Sequence, residues 1–116
     1  MIIKKISEVP AEPVTIEGAK NVVARMIFGP QDHAPTFAMR QFEIAPGGHT
    51  PLHSHPYEHE VIVLQGRLEV VDKDKPIPLE PGDAVMVEPN LRHQFRNLSP
   101  DKLAKMICII PVEYQK

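Results

Sequence analysis

Residues 47–66 read Gly47-Gly48-His49-Thr50-Pro51-Leu52-His53-Ser54-His55-Pro56-Tyr57-Glu58-His59-Glu60-Val61-Ile62-Val63-Leu64-Gln65-Gly66. Four of the chain's six histidines fall here, and three of them, at 53, 55 and 59, lie within seven residues. Side chains alternate across an extended strand, so residues two apart face the same way. His53 and His55 are expected to project together. His59 keeps their parity, although Pro56 can interrupt the strand, whereas Glu58 and Glu60 have the opposite parity. Converging imidazoles repel one another when protonated and need partners when neutral and buried. A metal ion resolves both problems, because neutral imidazole is a common ligand for Zn, Cu, Fe and Ni. A solvated polar loop is the competing reading of the same residues.

Outward from this stretch, short β-type runs alternate with turn signals. Upstream lie 22–28, ending at Gly29-Pro30, and 37–44, ending at Pro46-Gly47-Gly48. Downstream, 60–64 ends at Gln65-Gly66, and 67–71 ends in the charged turn 72–76. Then come 78–80, 84–87, 93–97 and 105–110. Short strands at near-regular spacing predict a sandwich or barrel. No helix has both a start signal and an amphipathic stripe, and thirteen prolines are spread along the chain, where helix interiors do not tolerate them. The Gly66 and Gly82 turns call for the positive φ that glycine supplies. In the run from 93, His93, Phe95 and Asn97 share a face; alone, His93 is a weak ligand candidate. His33 and His49 are expected on the surface or in loops.

Two stretches together resemble the motifs of the cupin superfamily, in particular its small single-domain members. The first is a glycine, five residues and HxH, then an acidic residue or histidine and a later glycine, here Gly47 to Gly66. The second is a glycine, a proline, a histidine and an asparagine four residues on, here Gly82, Pro89, His93 and Asn97. The resemblance implies an all-β fold, the cupin-type double-stranded β-helix or jelly-roll barrel, as one domain over 1–116. It also implies one divalent transition-metal ion (Mn, Fe, Cu, Ni or Zn) held by His53, His55, His59 and His93. Many members use glutamate as the third ligand, which leaves Glu60 as the alternative to His59; parity favours His59. Where the second motif often has glycine, this chain has Asn90-Leu91, and asparagine tolerates the left-handed conformation.

Four neutral ligands leave the ion's charge uncompensated and coordination positions open to a small molecule. Arg40 and Phe42 share a face. If that face is inward, Arg40 can pair with a substrate carboxylate, although an exposed or interfacial ion pair is the more ordinary expectation. Tyr57 belongs at the mouth of the pocket or in packing, and Phe95 in the barrel core. Met106, Cys108 and Ile110 share one face of a strand that, in the resemblance, runs past the metal. The leading functional expectation is a metal-dependent, dioxygenase-like oxidoreductase acting on a small organic substrate. The alternatives are a non-catalytic metal or ligand-binding sensor module, and a non-redox isomerase, hydrolase or lyase. No catalytic residue is identified. A non-redox mechanism needs a general base, for which Glu43 and Glu69 are candidates of unknown facing.

The net charge of −2 and sequence pI near 6.3 lack the basic footprint of a nucleic-acid binder or of a charged membrane-surface binder. No apolar run approaches the roughly 20 residues of a bilayer span, and Met1 to Lys5 lacks a secretory signal, so a cytoplasmic location is expected. The single cysteine, Cys108, excludes an internal disulfide and reads as a buried small hydrophobe. Runs 61–64 and 107–110 are apolar on both faces. A second chain is the simplest cover for the outer one, and the resemblance also implies a homodimer.

Overall fold

Short β-branched runs, punctuated by Gly and Pro, leave this chain little choice but extended structure. A computed structural model, which describes residues 1–115, shows nine strands and three short 3-10 turns. The strands are β1 (Glu12–Pro13), β2 (Lys20–Phe28), β3 (Phe37–His49), β4 (His59–Gln65), β5 (Leu68–Asp72), β6 (Lys75–Leu79), β7 (Ala84–Val87), β8 (His93–Arg96) and β9 (Ala104–Pro111). Every pairing is antiparallel, and the sheet runs β6-β5-β8-β3-β9-β4-β7, with β2 on β3 and β1 on β2. The all-β jelly-roll expectation is met.

The hub is β3. Its residues 37–44 pair with β9, while its last residue, His49, pairs with Arg96 of β8. One strand thus serves both walls of the barrel and turns the corner between them, which strands do at bulges and bends. The sequence suggested that this strand stops at Pro46-Gly47-Gly48; instead those residues make the corner. Gly47 has φ +75, and a side chain at Gly48 would lie 2.7 Å from the Lys20 carbonyl oxygen. The backbone hydrogen bonds Gly47 N to Asn97 O and Asn97 N to Gly48 O hold it. A second difference lies at 72–76. The turn is tighter than expected, with Lys73 at φ +58, and β6 already begins at Lys75. Pro76 and Pro78 sit in that strand because it is the last in the sheet, where a missing N–H breaks no central ladder.

Alternation along β4 holds from His59 to Leu64. His59, Val61 and Val63 are buried, and Glu60, Ile62 and Leu64 are exposed. The inward residues join Phe42, Phe95, Met106 and Cys108 in the core. Each fully buried Val of this kind contributes roughly 1.5–3 kcal/mol relative to an exposed one. Outside, the N-terminal segment crosses β2. Lys4 reaches the Ile27 carbonyl oxygen and the Asp32 carboxylate, both at 2.7 Å, and Arg25 donates to the Val9 carbonyl oxygen at 2.5 Å. Ile27 is buried there, while Ile62, Leu64 and Met86 remain exposed on the outer faces of β4 and β7. Among the described residues no helix is long and apolar enough to cross a membrane.

Candidate metal centre

The inner wall of the barrel ends in four imidazoles. His53 and His93 face each other across an isolated antiparallel bridge, with both N–H···O bonds made, at 3.1 and 2.9 Å. Directly opposed residues of an antiparallel pair project to the same side, so these two rings meet. His55 lies in the following loop, pinned by the Asn90 N–H donating to its carbonyl oxygen at 2.7 Å. Asn90 takes the left-handed conformation, φ +68, so the turn expected there is kept. His59 enters from the first position of β4. Ring centroids of His55–His59, His55–His93, His53–His55, His53–His93 and His59–His93 are 4.3 to 5.1 Å apart. Ring nitrogens of His53, His55 and His93 all lie within 4.8 Å of one another. His59 stands outside that trio but has its Nε2 2.6 Å from Nε2 of His55. Glu58 and Glu60 are exposed and point away.

Hydrogen bonding assigns most of the protons. Nδ1–H of His55 donates to the Tyr57 carbonyl oxygen and Nδ1–H of His93 to that of Leu91, each at 2.8 Å. In the neutral rings both Nε2 atoms are then bare and able to ligate. The contact between His55 and His59 accordingly needs a hydrogen on His59 Nε2, leaving its Nδ1 to accept from the Cys108 thiol at 3.2 Å. An ion in place of that hydrogen would ask for the other His59 tautomer, with Nδ1–H directed at the Cys108 sulfur. Two imidazoles at right angles about an ion 2.0–2.1 Å away stand roughly 3 Å apart, so a small outward movement suffices. Burial, with His93 and His55 as further causes, pushes His53 down to about 4. Burial, with His55 and then Arg40 as further causes, pushes His59 down to about 2. Burial lowers His55 too, against the opposing pull of the Tyr57 carbonyl. His53, His55 and His59 are thereby held toward the neutral form, the state metal binding requires. An all-imidazole donor set suits late first-row transition metals.

A cavity of about 640 Å³ opens over the cluster. Arg40, Phe42, Tyr57, Phe95, Met106 and Cys108 line it; Ile110 does not. Ile110 shares their face but lies two residues further along β9, about 6.6 Å at the rise of a strand, and is buried in the core behind the cavity. Tyr57 fills both expected roles, lining the cavity while stacked between His55, at 4.0 Å, and Tyr114, at 4.1 Å. Arg40 points inward and makes no ion pair among the described residues, contrary to the ordinary expectation. Burial raises the Cys108 thiol despite Arg40 beside it. Glu43 and Glu69 are removed as candidate bases, being paired with Arg25 and Arg96 away from the cavity. His33 is exposed as expected. His49 is half-buried at the end of β3, within 3.3 Å of Gln94 and apart from the cluster, because β3 extends further than its turn residues suggested. Sequence reading missed the walls built by Val14, Ile16 and Met26, and the Tyr114 stack. No local pattern marks them, since they arrive through long-range packing.

The cupin domain family matches residues 40–110, and the chain belongs to it. The polyketide cyclase RemF from Streptomyces resistomycificus is similar in structure, with a TM-score of 0.91 and 31% identity, over 97% of this chain and 80% of that one. The 1-methylthio-D-xylulose 5-phosphate methylsulfurylase of Rhodospirillum rubrum is 32% identical over 81 residues, 70% of this chain and 51% of that protein. The polyketide synthase CurC of Streptomyces cyaneus is 40% identical over 63 residues, 53% of this chain and 40% of that protein. The matches thus span about half or less of these curated relatives' own length.

Proposed function

We propose that this chain is a metalloenzyme that holds one divalent transition-metal ion through His53, His55, His59 and His93 and acts on a small organic molecule in the cavity above them. The observation that carries the reading is the convergence of bare imidazole nitrogens, within 4.8 Å for three of the rings, on a cavity of about 640 Å³. When bound, such an ion polarises a carbonyl or enol oxygen or, if redox-active, supports oxygen chemistry. His55 and His93 keep their ligating nitrogens bare through the Tyr57 and Leu91 carbonyls. The apolar walls, Phe42, Phe95 and Met106 among them, exclude water and position the substrate's body.

Of the two chemistries, ring-forming condensation without redox change is favoured by the likeness to a polyketide cyclase over nearly the whole chain. The dioxygenase-like reading is favoured by a different observation. Glu12, an exposed residue, is the only carboxylate on the cavity lining among the described residues, so little is present to serve as a general base. We also propose that the chain pairs as a homodimer through the outer faces of β4 and β7.

The test is metal content by plasma mass spectrometry on untagged protein, beside a His53→Ala, His93→Ala double variant. About one equivalent per chain, lost in the variant, is expected. A chain that stays empty when offered Mn, Fe, Cu, Ni and Zn overturns the reading. Metal-dependent oxygen uptake with a substrate then selects the oxygenase reading, and turnover without oxygen the cyclase one.

A further inference from the structure

Arg40 is a cation without a counter-charge. Its Nε is buried with no hydrogen-bond partner, and its Nη2 reaches only the Cys108 sulfur, at 3.3 Å. A thiol sulfur is a weak acceptor. Its guanidinium lies 4.7 Å from the centre of the Phe42 ring, on the cavity wall. No carboxylate of the described chain lies within 4.0 Å of it. Leaving a buried charge unpaired is costly, and this one faces a cavity where no other Lys or Arg of the described chain competes for an anion. Glu43, three residues along the same strand, is engaged by Arg25 instead.

We infer that Arg40 is the specificity-determining residue of the cavity, and that the ligand is a carboxylate carried on an apolar body. A guanidinium presents a rigid fork of donors that matches a carboxylate bidentately, and of Arg40's donors only Nη2 is engaged, by the weak Cys108 acceptor. Val14, Ile16, Met26, Phe42, Phe95 and Met106 give the wall a mostly apolar surface for the ligand's body, and the neutral polar side chains Gln31, Thr50 and Gln115 also on the lining carry no positive charge to rival Arg40. The volume falls in the range of roughly 300–1,000 Å³ that accommodates whole small-molecule ligands, well beyond the bare carboxylate. The inference builds on the metalloenzyme reading for what lies at the ligand's far end, but the arginine's own part can be measured with no ion present.

The experiment is calorimetric titration of the full chain with 2-naphthoate and with its neutral isostere 2-naphthamide. It is run on protein stripped with a chelator and on protein reloaded with zinc. Wild type is expected to bind the naphthoate at least about tenfold more tightly than the amide, in both states. Arg40→Met is expected to erase the difference while a thermal melt shows it folded, and Arg40→Gln gives a second route should the Met variant unfold. Equal binding of the two probes by wild type, or binding of neither, overturns the proposal. So does a preference that survives in the variants. A preference seen only with zinc present also overturns it, since it places the carboxylate on the ion rather than on Arg40. Failure of the metal-content test, by contrast, sinks the metalloenzyme reading and leaves the naphthoate preference of the stripped chain standing.

Discussion

His59 shows how one side chain can be tuned by burial and its neighbours. It is buried, stacked on His55 and in contact with the Cys108 sulfur. Free imidazole takes up a proton near pH 6.5, whereas folded His53 holds out to about 4 and His59 to about 2. Between those values the unfolded chain binds more protons than the folded one, so stability rises with pH across this window and falls as pH drops. The melting temperature of metal-stripped protein is therefore expected to decline progressively below about pH 6.5, with a shallower slope in a His59→Gln variant. A melting temperature that stays level from neutral pH to pH 4 would contradict this. Parity with His53 and His55 favours His59 over Glu60 in the sequence, and in the structure β4 turns His59 inward and Glu60 outward. Arg40 was harder to read. Its parity with Phe42 was plain, but β3 carries polar residues on both faces, Arg40 on one and Gln41 and Glu43 on the other. Local pattern therefore does not say which face is inside.

At the scale of elements, the glycine turns separate conformational strain from crowding. Gly66 has φ +77, and a side chain there would lie 2.7 Å from the Leu103 carbonyl oxygen. Gly82 has φ +95 with open space around it. Alanine at Gly82 is expected to cost about 1–2 kcal/mol from backbone conformation alone. Alanine at Gly66 is expected to cost about 1–3 kcal/mol more, because backbone must move to admit it. Urea unfolding of the two variants checks the order, and equal losses would show that the Leu103 contact is easily relieved. Both turns could be read from composition, as could most strand cores. The corner at Pro46-Gly47-Gly48 could not, because a strand that changes walls uses the same residues as a strand that ends. His53 and His55 were grouped by strand parity, yet only His53 sits in a ladder, and that is a single bridge to His93. The loop carrying His55 is fixed by Asn90, a contact made across 35 positions of sequence that no local reading supplies.

At the scale of the molecule, the N-terminal segment covers β2 but leaves Ile62, Leu64 and Met86 with 41%, 44% and 58% of their surface in water. Those three side chains on neighbouring strands form an apolar outer face of the kind that a second copy covers. Sedimentation is expected to give a dimer for the wild type and a monomer for an Ile62→Lys, Leu64→Lys variant of unchanged metal content. A wild-type monomer at micromolar concentration would remove the dimer from the proposal.

The prolines of β6 bear on how such an association stops. The sheet's path ends at β6 on one side and β7 on the other, and the short off-path strand β1 also carries a proline, Pro13. Pro76, Pro78 and Pro13 withhold the donors an incoming strand would need, whereas Ala84 to Val87 contains none. Intermolecular strand addition is thus directed to a single side of the barrel. A two-fold pair formed there consumes the receptive side of both molecules and leaves proline-guarded margins outermost. An association of that kind would end at the pair, because the margins left outermost carry the prolines that shape the β5–β6 hairpin.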